Sequence, residues 1–396
     1  MLWQTAGRPT LAVVGVIVMA AIPPFLIGAL SPLMAEDLAF DAGQVGLSIA
    51  AYYLVSGVLS PLGGRAVARI GVERALRFSC AITALGLVAI AAAGDAMHVA
   101  LALGLLGVPN CVVQPAANAV LAEVRAPRLQ AFVFGTVQAS IPIATLIAGV
   151  VLGVASYAGG WRWTVLTVAT LSGIALWLTR GLPPSVTRSQ PMPAGPPLSV
   201  RTRPNTRLLL VALVAVGFFA STAATSLPSY VASTGLDTGL APAVVAGAQV
   251  LGSLACAVTR IGAPVGVSGG SSQRRLVLVA VLLGGGTLGY LLLGTGTAVG
   301  FLAGTVVAYA FGWGWNGLFN QVVVSVRPER IAASTGVTQG GVFLGGSVGP
   351  LAFAAVAHSH GYGSAWWISS GAALAAVAAA GVAIKLLYRG TGPSGQ

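Results

Sequence analysis

From residue 11 to residue 388 the chain is a succession of apolar runs about twenty residues long, broken by short segments rich in Arg, Pro or Gly. That length is what an α-helix needs to cross the hydrocarbon core of a bilayer, roughly 20 residues. Twelve runs are read, at 11–34, 43–63, 75–94, 97–121, 129–157, 163–180, 207–233, 241–260, 275–295, 298–326, 331–357 and 364–388. Gly and Pro recur inside them, which a membrane helix tolerates because neighbouring groups re-satisfy the freed backbone. Only 7% of the residues are charged, against roughly 25% in soluble domains, too few to cover a water-facing surface. The expected fold is all-α and polytopic.

The first run contains Leu33-Met34-Ala35, which resembles a signal cleavage site, but its length and Pro23-Pro24 exceed an ordinary signal core. It is expected to remain as the first helix. Cys80, Cys111 and Cys256 each sit in an apolar run and form no CxxC pair, so they read as buried hydrophobes rather than a disulfide or zinc site.

The net charge of +12 is spread as single arginines or small groups, which argues against a nucleic-acid partner. With the N-terminal side taken as inner, 19 of the 20 basic residues fall in inner segments and only Arg162 lies outside. Cytoplasmic loops concentrate Lys and Arg, and a wrong helix count would scramble this alternation. The expectation is a cell (inner or plasma) membrane protein with both termini cytoplasmic.

Segment 181–206 carries seven prolines among polar residues, a linker composition that packs no core. It divides the chain into 1–180 and 207–396, each with six runs. The halves match in order. Asn118 precedes Arg125 and Arg128 by the same spacings with which Asn320 precedes Arg327 and Arg330, and Gly135-Thr-Val-Gln138 corresponds to Gly336-Val-Thr-Gln339. Trp161 and Trp163 open the sixth run as Trp366 and Trp367 open the twelfth; all four read as an interfacial belt.

Twelve helices, a central linker and two related halves resemble the major facilitator superfamily of secondary transporters, whose halves are two pseudo-symmetric six-helix bundles. The segment GRAVARIGVER matches that superfamily's loop signature at Gly64, Arg69, Gly71 and Arg74, and departs from it at Ala68 and Glu73. The resemblance implies a gating role for this loop between helices 2 and 3. On helix 5 the family's antiporter pattern is only partly kept, Pro142 following Ile141, so uptake and efflux stay open.

Asn and Gln in a spanning helix need protein partners, since lipid offers none. Nine lie within the runs: Asn110, Gln114, Asn118, Gln138, Gln249, Asn316, Asn320, Gln321 and Gln339. Eight belong to helices 4, 5, 10 and 11, and the resemblance places helices 4 and 10 at a central cavity with 5 and 11 supporting them. Asn110, Gln114, Gln138, Asn316 and Gln339, with Trp313 and Tyr52 as walls, are therefore the candidate cavity residues. The alternative for each is interhelical packing, with Gln114 bonded to Gln138.

No acidic or basic residue is read at mid-membrane, so a buried proton-coupling carboxylate or an Arg clamp lacks support. Glu36 and Asp37, at the outer end of helix 1, are the candidates for proton coupling. His98, His358 and His360 fall at outer helix ends without acidic or Cys partners, and no phosphate-binding loop or nucleophile–base set occurs. The reading is not an enzyme, with no metal or other cofactor. It is a monomeric carrier moving a small organic solute by alternating access, actively or by facilitation. A transport-inactive receptor on the same scaffold and a channel are the alternatives.

Overall fold

The computed structural model describes residues 2–389 apart from 39, 41, 125, 158–159 and 181–205. The linker read at 181–206 thus lies almost wholly outside the described residues. The rest is helical, as it must be where no water satisfies backbone groups.

In chain order the helices are α1 (Leu2–Leu38), α2 (Ala42–Ile70), α3 (Val72–Ala91), α4 (Ala96–Leu121), α5 (Pro127–Tyr157) and α6 (Trp161–Leu178). There follow α7 (Thr206–Ala224), α8 (Ser226–Asp237), α9 (Pro242–Gly266), α10 (Ser272–Leu293), α11 (Ala298–Val307), α12 (Asn316–Val326) and α13 (Ile331–Arg389). Among the described residues, ten stretches are long and apolar enough to span a bilayer. Two of them are internally broken. Thr206–Asp237 is interrupted at Thr225, where Pro228 cannot donate to the carbonyl four residues back. Ala298–Val326 passes through a π-turn, Ala308–Gly312, and an irregular turn at 313–315.

The stretch Pro328–Tyr388 has 61 residues. At 1.5 Å per residue it would run about 90 Å if straight, some three times the hydrocarbon thickness. Gly361 breaks it with φ 80° and ψ 167°, a backbone state open to glycine, between the eleventh and twelfth apolar runs. Helix α6, 18 residues with Arg162 in its first turn, is not among the ten.

Two sequence boundaries need correction. Helix α2 continues to Ile70, seven residues beyond the run read there, and the connection to α3 is Gly71 alone at φ 88°. Gly64 and Arg69 are therefore helical, not loop residues. Helix α9 extends six residues past Arg260, which the count of basic residues places in an inner segment. In both places the apolar run ends at or just before an arginine, although a long basic side chain need not end a helix. Elsewhere the ends are capped as polar residues dictate: Asp95 accepts from the His98 N–H (2.8 Å) and Ser271 from the Arg274 N–H (3.2 Å). The backbone bond to His98 holds the Asp95 carboxyl below its ordinary range.

One buried apolar cluster is drawn from residues 12–175 together with Ala332. Two others are drawn from residues 209–383. Large apolar side chains that face outward, such as Leu85, Leu105, Val258 and Val299, form the lipid-facing coat. The Trp belt needs a second correction. Trp163 and Trp367 are exposed, but Trp161 donates to Asp37 and Trp366 is buried, stacked on Tyr290 and donating to Thr234. A buried indole needs a partner for its N–H, and both have one.

Candidate functional site

Helices from the two ends of the chain meet along two seams. In one, α2 runs against the first half of α13; in the other, α5 runs against α9. Both are built on glycine. A Cβ on Gly64 would lie 2.3 Å from the Ala332 carbonyl oxygen, and one on Gly336 2.5 Å from that of Ser60. Across the second seam, a Cβ on Gly135 would lie 2.6 Å from the Arg260 carbonyl oxygen and 2.6 Å from the Ile261 Cα. Backbone thus touches backbone, which only glycine permits.

Next to the α2–α13 contact lies a closed amide network. Asn118 Nδ2 donates to Asn320 Oδ1 (2.8 Å) and to Thr335 Oγ1 (3.2 Å). Gln114 Nε2 donates to Asn118 Oδ1 (2.9 Å), and Gln339 Nε2 to Asn320 Oδ1 (3.2 Å). Asn118 and Asn320, equivalent positions of the two halves in the sequence, here bond each other. Gln114 therefore turns to Asn118, one helical turn away, and not to Gln138 as the packing alternative supposed. Replacing Asn118 by Ala would leave Gln114 Nε2 without its acceptor and take from Asn320 Oδ1 one of its two donors, Gln339 Nε2 remaining. A loss of about 1–3 kcal/mol is expected, read as a lowered Tm of the purified protein. Thr335→Val, which removes one longer bond, should cost less.

Among the same helices lies a cavity of about 80 Å³, past which α2 and α13 remain in contact, Ser347 Oγ donating to the Ala50 carbonyl (3.1 Å). One water needs roughly 10–15 Å³, so the space admits a handful of waters or a small solute. All seven candidates, Tyr52, Asn110, Gln114, Gln138, Trp313, Asn316 and Gln339, line it. Sequence reasoning missed other lining residues: Ile17, Ala21 and Phe25 from α1, Ser221 from α7, Thr225 at the α7–α8 break, and Phe343 from α13. Apolar and hydroxyl side chains carry no signal in an apolar run. Tyr52 donates to the Ala20 carbonyl, and Asn110 Nδ2 to Ser56 Oγ (3.0 Å). Gln138 Nε2, though buried, has no hydrogen-bond partner. Of the nine intramembrane amides eight are buried and Gln249 is half-buried.

The other proposed positions lie elsewhere. Asp37 accepts from Trp161 Nε1 (2.9 Å) and from Arg162 (3.1 Å), tying α1 to α6, and does not line the cavity. Nothing is described of the Glu36 side chain. Arg69 and Arg74 are exposed and make no bond among the described residues, so of the gating set only Gly64 sits in a seam. The expectation of no charged group at mid-membrane also fails. Arg260 is fully buried and donates to the Gln138 carbonyl at 2.6 Å. Its helix outlasts it, and its long side chain turns inward rather than toward water. Ser253, Cys256 and Arg260, spaced three and four apart and all buried, mark one inward face; that spacing was the available signal.

Comparison with known proteins yields a match to the family model described as Major Facilitator Superfamily, over residues 12–350. No curated protein matches the sequence. Among solved structures, the chain is similar to the crystal structure of the human organic anion transporter MFSD10 (TETRAN), with a TM-score of 0.69 at 15% identity, covering 94% of this chain and 99% of that one. It is also similar to the proton:xylose symporter XylE bound to 6-bromo-6-deoxy-D-glucose, with a TM-score of 0.76 at 14% identity, covering 96% and 95%.

Proposed function

Since this chain belongs to the Major Facilitator Superfamily, and is thus a multi-pass membrane transporter of small solutes, we propose that it works by alternating access between two six-helix bundles, 1–180 and 207–396. Twelve crossings follow if the stretch Pro328–Tyr388 counts as two, divided at Gly361, and α6 spans as well. The bias of arginines toward one set of helix ends supports cytoplasmic termini.

One observation carries the reading. Polar side chains from both bundles converge on a single cavity, and the arginine-bearing side of that cavity is shut by glycine contacts between the bundles. Rocking one bundle on the other would part α2 from α13 and α5 from α9, break the Asn118–Asn320 bond, and expose the cavity to the cytoplasm. Among the described residues no Asp, Glu, Lys or His lines the cavity, and we take the facilitative form of the reading, with no proton step there, as the one to test. Uptake and efflux are then set by the solute gradient.

Proteoliposomes test this with radiolabelled candidate solutes, chosen by thermal-shift screening of a metabolite and drug panel. Saturable flux, unchanged when a protonophore collapses the pH gradient, is expected. Binding without flux would identify a receptor instead. For Gln138→Ala we expect KM to rise about tenfold through loss of one hydrogen bond to solute, with Tm nearly unchanged. Its main-chain carbonyl, not its side chain, receives Arg260. An unaltered KM with a lowered Tm would assign Gln138 to packing.

A further inference from the structure

The guanidinium of Arg260 is enclosed on every side and bonded only to neutral groups. Besides the Gln138 carbonyl it donates to the Trp313 carbonyl, from Nε at 3.0 Å and from Nη2 at 2.8 Å, and it lies 5.0 Å from the centroid of the Trp313 ring. That carbonyl is accessible because the chain is unwound at 313–315, just after the π-turn.

The chain has eight Asp and Glu residues, and among the described residues no carboxylate pairs with this charge. Asp37 lies in the last turn of α1 and pairs with Arg162. Glu73 is in the first turn of α3, Asp95 caps α4 and Glu123 follows it. Asp237 ends α8, and Glu329 lies in the turn before α13. A cation inside a membrane bundle is expensive unless paired, and such residues mark solute or ion pathways.

Here the charge adjoins the cavity, since both its partners, Gln138 and Trp313, line the wall. Beside it, Gln138 Nε2 is a buried donor with no acceptor. Just behind one wall of the cavity, therefore, lies a positive charge with no carboxylate partner among the described residues, beside an idle N–H donor in the wall itself. Such a wall suits a ligand rich in acceptors and carrying negative charge.

We propose that the solute bears an anionic group, a carboxylate or a phosphonate-like oxyanion, for which Arg260 is the counter-charge and Gln138 Nε2 a direct donor. The proposal rests on the carrier reading of this cavity. It also gives the Arg260–Gln138 bond a role. The bond joins α9 to α5 across a seam, so parting the bundles frees Nη1 to meet the solute.

The test measures thermal unfolding of the purified full-length protein with lactate, succinate, benzoate and phenylphosphonate, each against a neutral partner: lactamide, succinamide, benzamide and dimethyl phenylphosphonate. At millimolar concentration at least one anion should raise Tm by about 2–4 °C while its neutral partner does not. The carboxylates and the phosphonate separate the two anion classes. Arg260→Gln should abolish the shift and Arg260→Lys retain part of it.

Three results would overturn the proposal: neutral partners stabilising as well as anions, no anion stabilising at all, or a shift that survives in Arg260→Gln. If Arg260→Gln does not fold, the wild-type comparison of anion with neutral partner still decides. An anion that binds but is not moved in proteoliposomes defeats the carrier reading and leaves the anion site standing. Saturable flux of a neutral solute alone does the reverse.

Discussion

Gly64→Val and Gly135→Val should each yield folded protein that no longer transports. A Cβ at Gly64 falls 2.3 Å from the Ala332 carbonyl oxygen, and one at Gly135 falls 2.6 Å from both the Arg260 carbonyl oxygen and the Ile261 Cα. These obstacles are backbone atoms, so no rotamer change relieves the clash. Valine adds two methyl groups to the same gap. The only relief is to separate α2 from α13, or α5 from α9.

Overpacking of this kind costs typically about 1–3 kcal/mol, and a penalty confined to one of two conformations shifts their ratio by about 5- to 150-fold. The variants should therefore rest with the seam open and stall the cycle. In a background where Cys80, Cys111 and Cys256, all buried, are changed to Ala, Thr335→Cys reports the change. Thr335 is enclosed behind the seam, so it should react with a membrane-impermeant maleimide in the valine variants and resist it in the parent. Normal transport by Gly64→Val and Gly135→Val would refute the assignment of these contacts to a moving interface.

Gly289→Val should instead prevent folding. Its Cβ would fall 2.4 Å from the Ala308 nitrogen and 2.7 Å from the Ala308 Cα, where α10 lies against the π-turn. Both elements belong to the second proposed bundle, so no rocking motion separates them. Moving α10 away would also disturb Tyr290, stacked on the buried Trp366. We expect no monodisperse protein, or a Tm lowered by more than about 10 °C if several kcal/mol are lost. Gly64→Val should express normally alongside it. Equal behaviour of the two variants would mean that the seams are as rigid as the bundle interior.

Much of this architecture was legible because lipid is a demanding solvent. A helix must be apolar for about 20 residues, and an amide within it must find a protein partner. The first rule located the runs. The second picked out nine amides, among them Asn118 and Asn320, which were not chosen as cavity residues and whose mutual bond closes the cytoplasmic side of the cavity in our reading.

Arginine was harder to read. Arg65 and Arg69 extend α2 beyond the run read there and are exposed, whereas Arg260 extends α9 and is enclosed. All three look alike in a hydropathy reading, because only the face of the helix distinguishes them. Tryptophan misled for the same reason. Trp366 and Trp367 are adjacent at a helix start, yet one is buried against Tyr290 and the other exposed. The glycine seams were invisible because a glycine that touches another backbone cannot be told in sequence from one that faces lipid.

Spin labels at Arg65 and Arg330 would probe the central claim most directly. Both residues are exposed, and they flank the contact between Gly64 and Ala332. Electron–electron distance measurements on the protein in lipid should give two populations, a short one matching this structure and a longer one that Gly64→Val makes dominant. A single narrow distance, the same in parent and variant, would contradict the account.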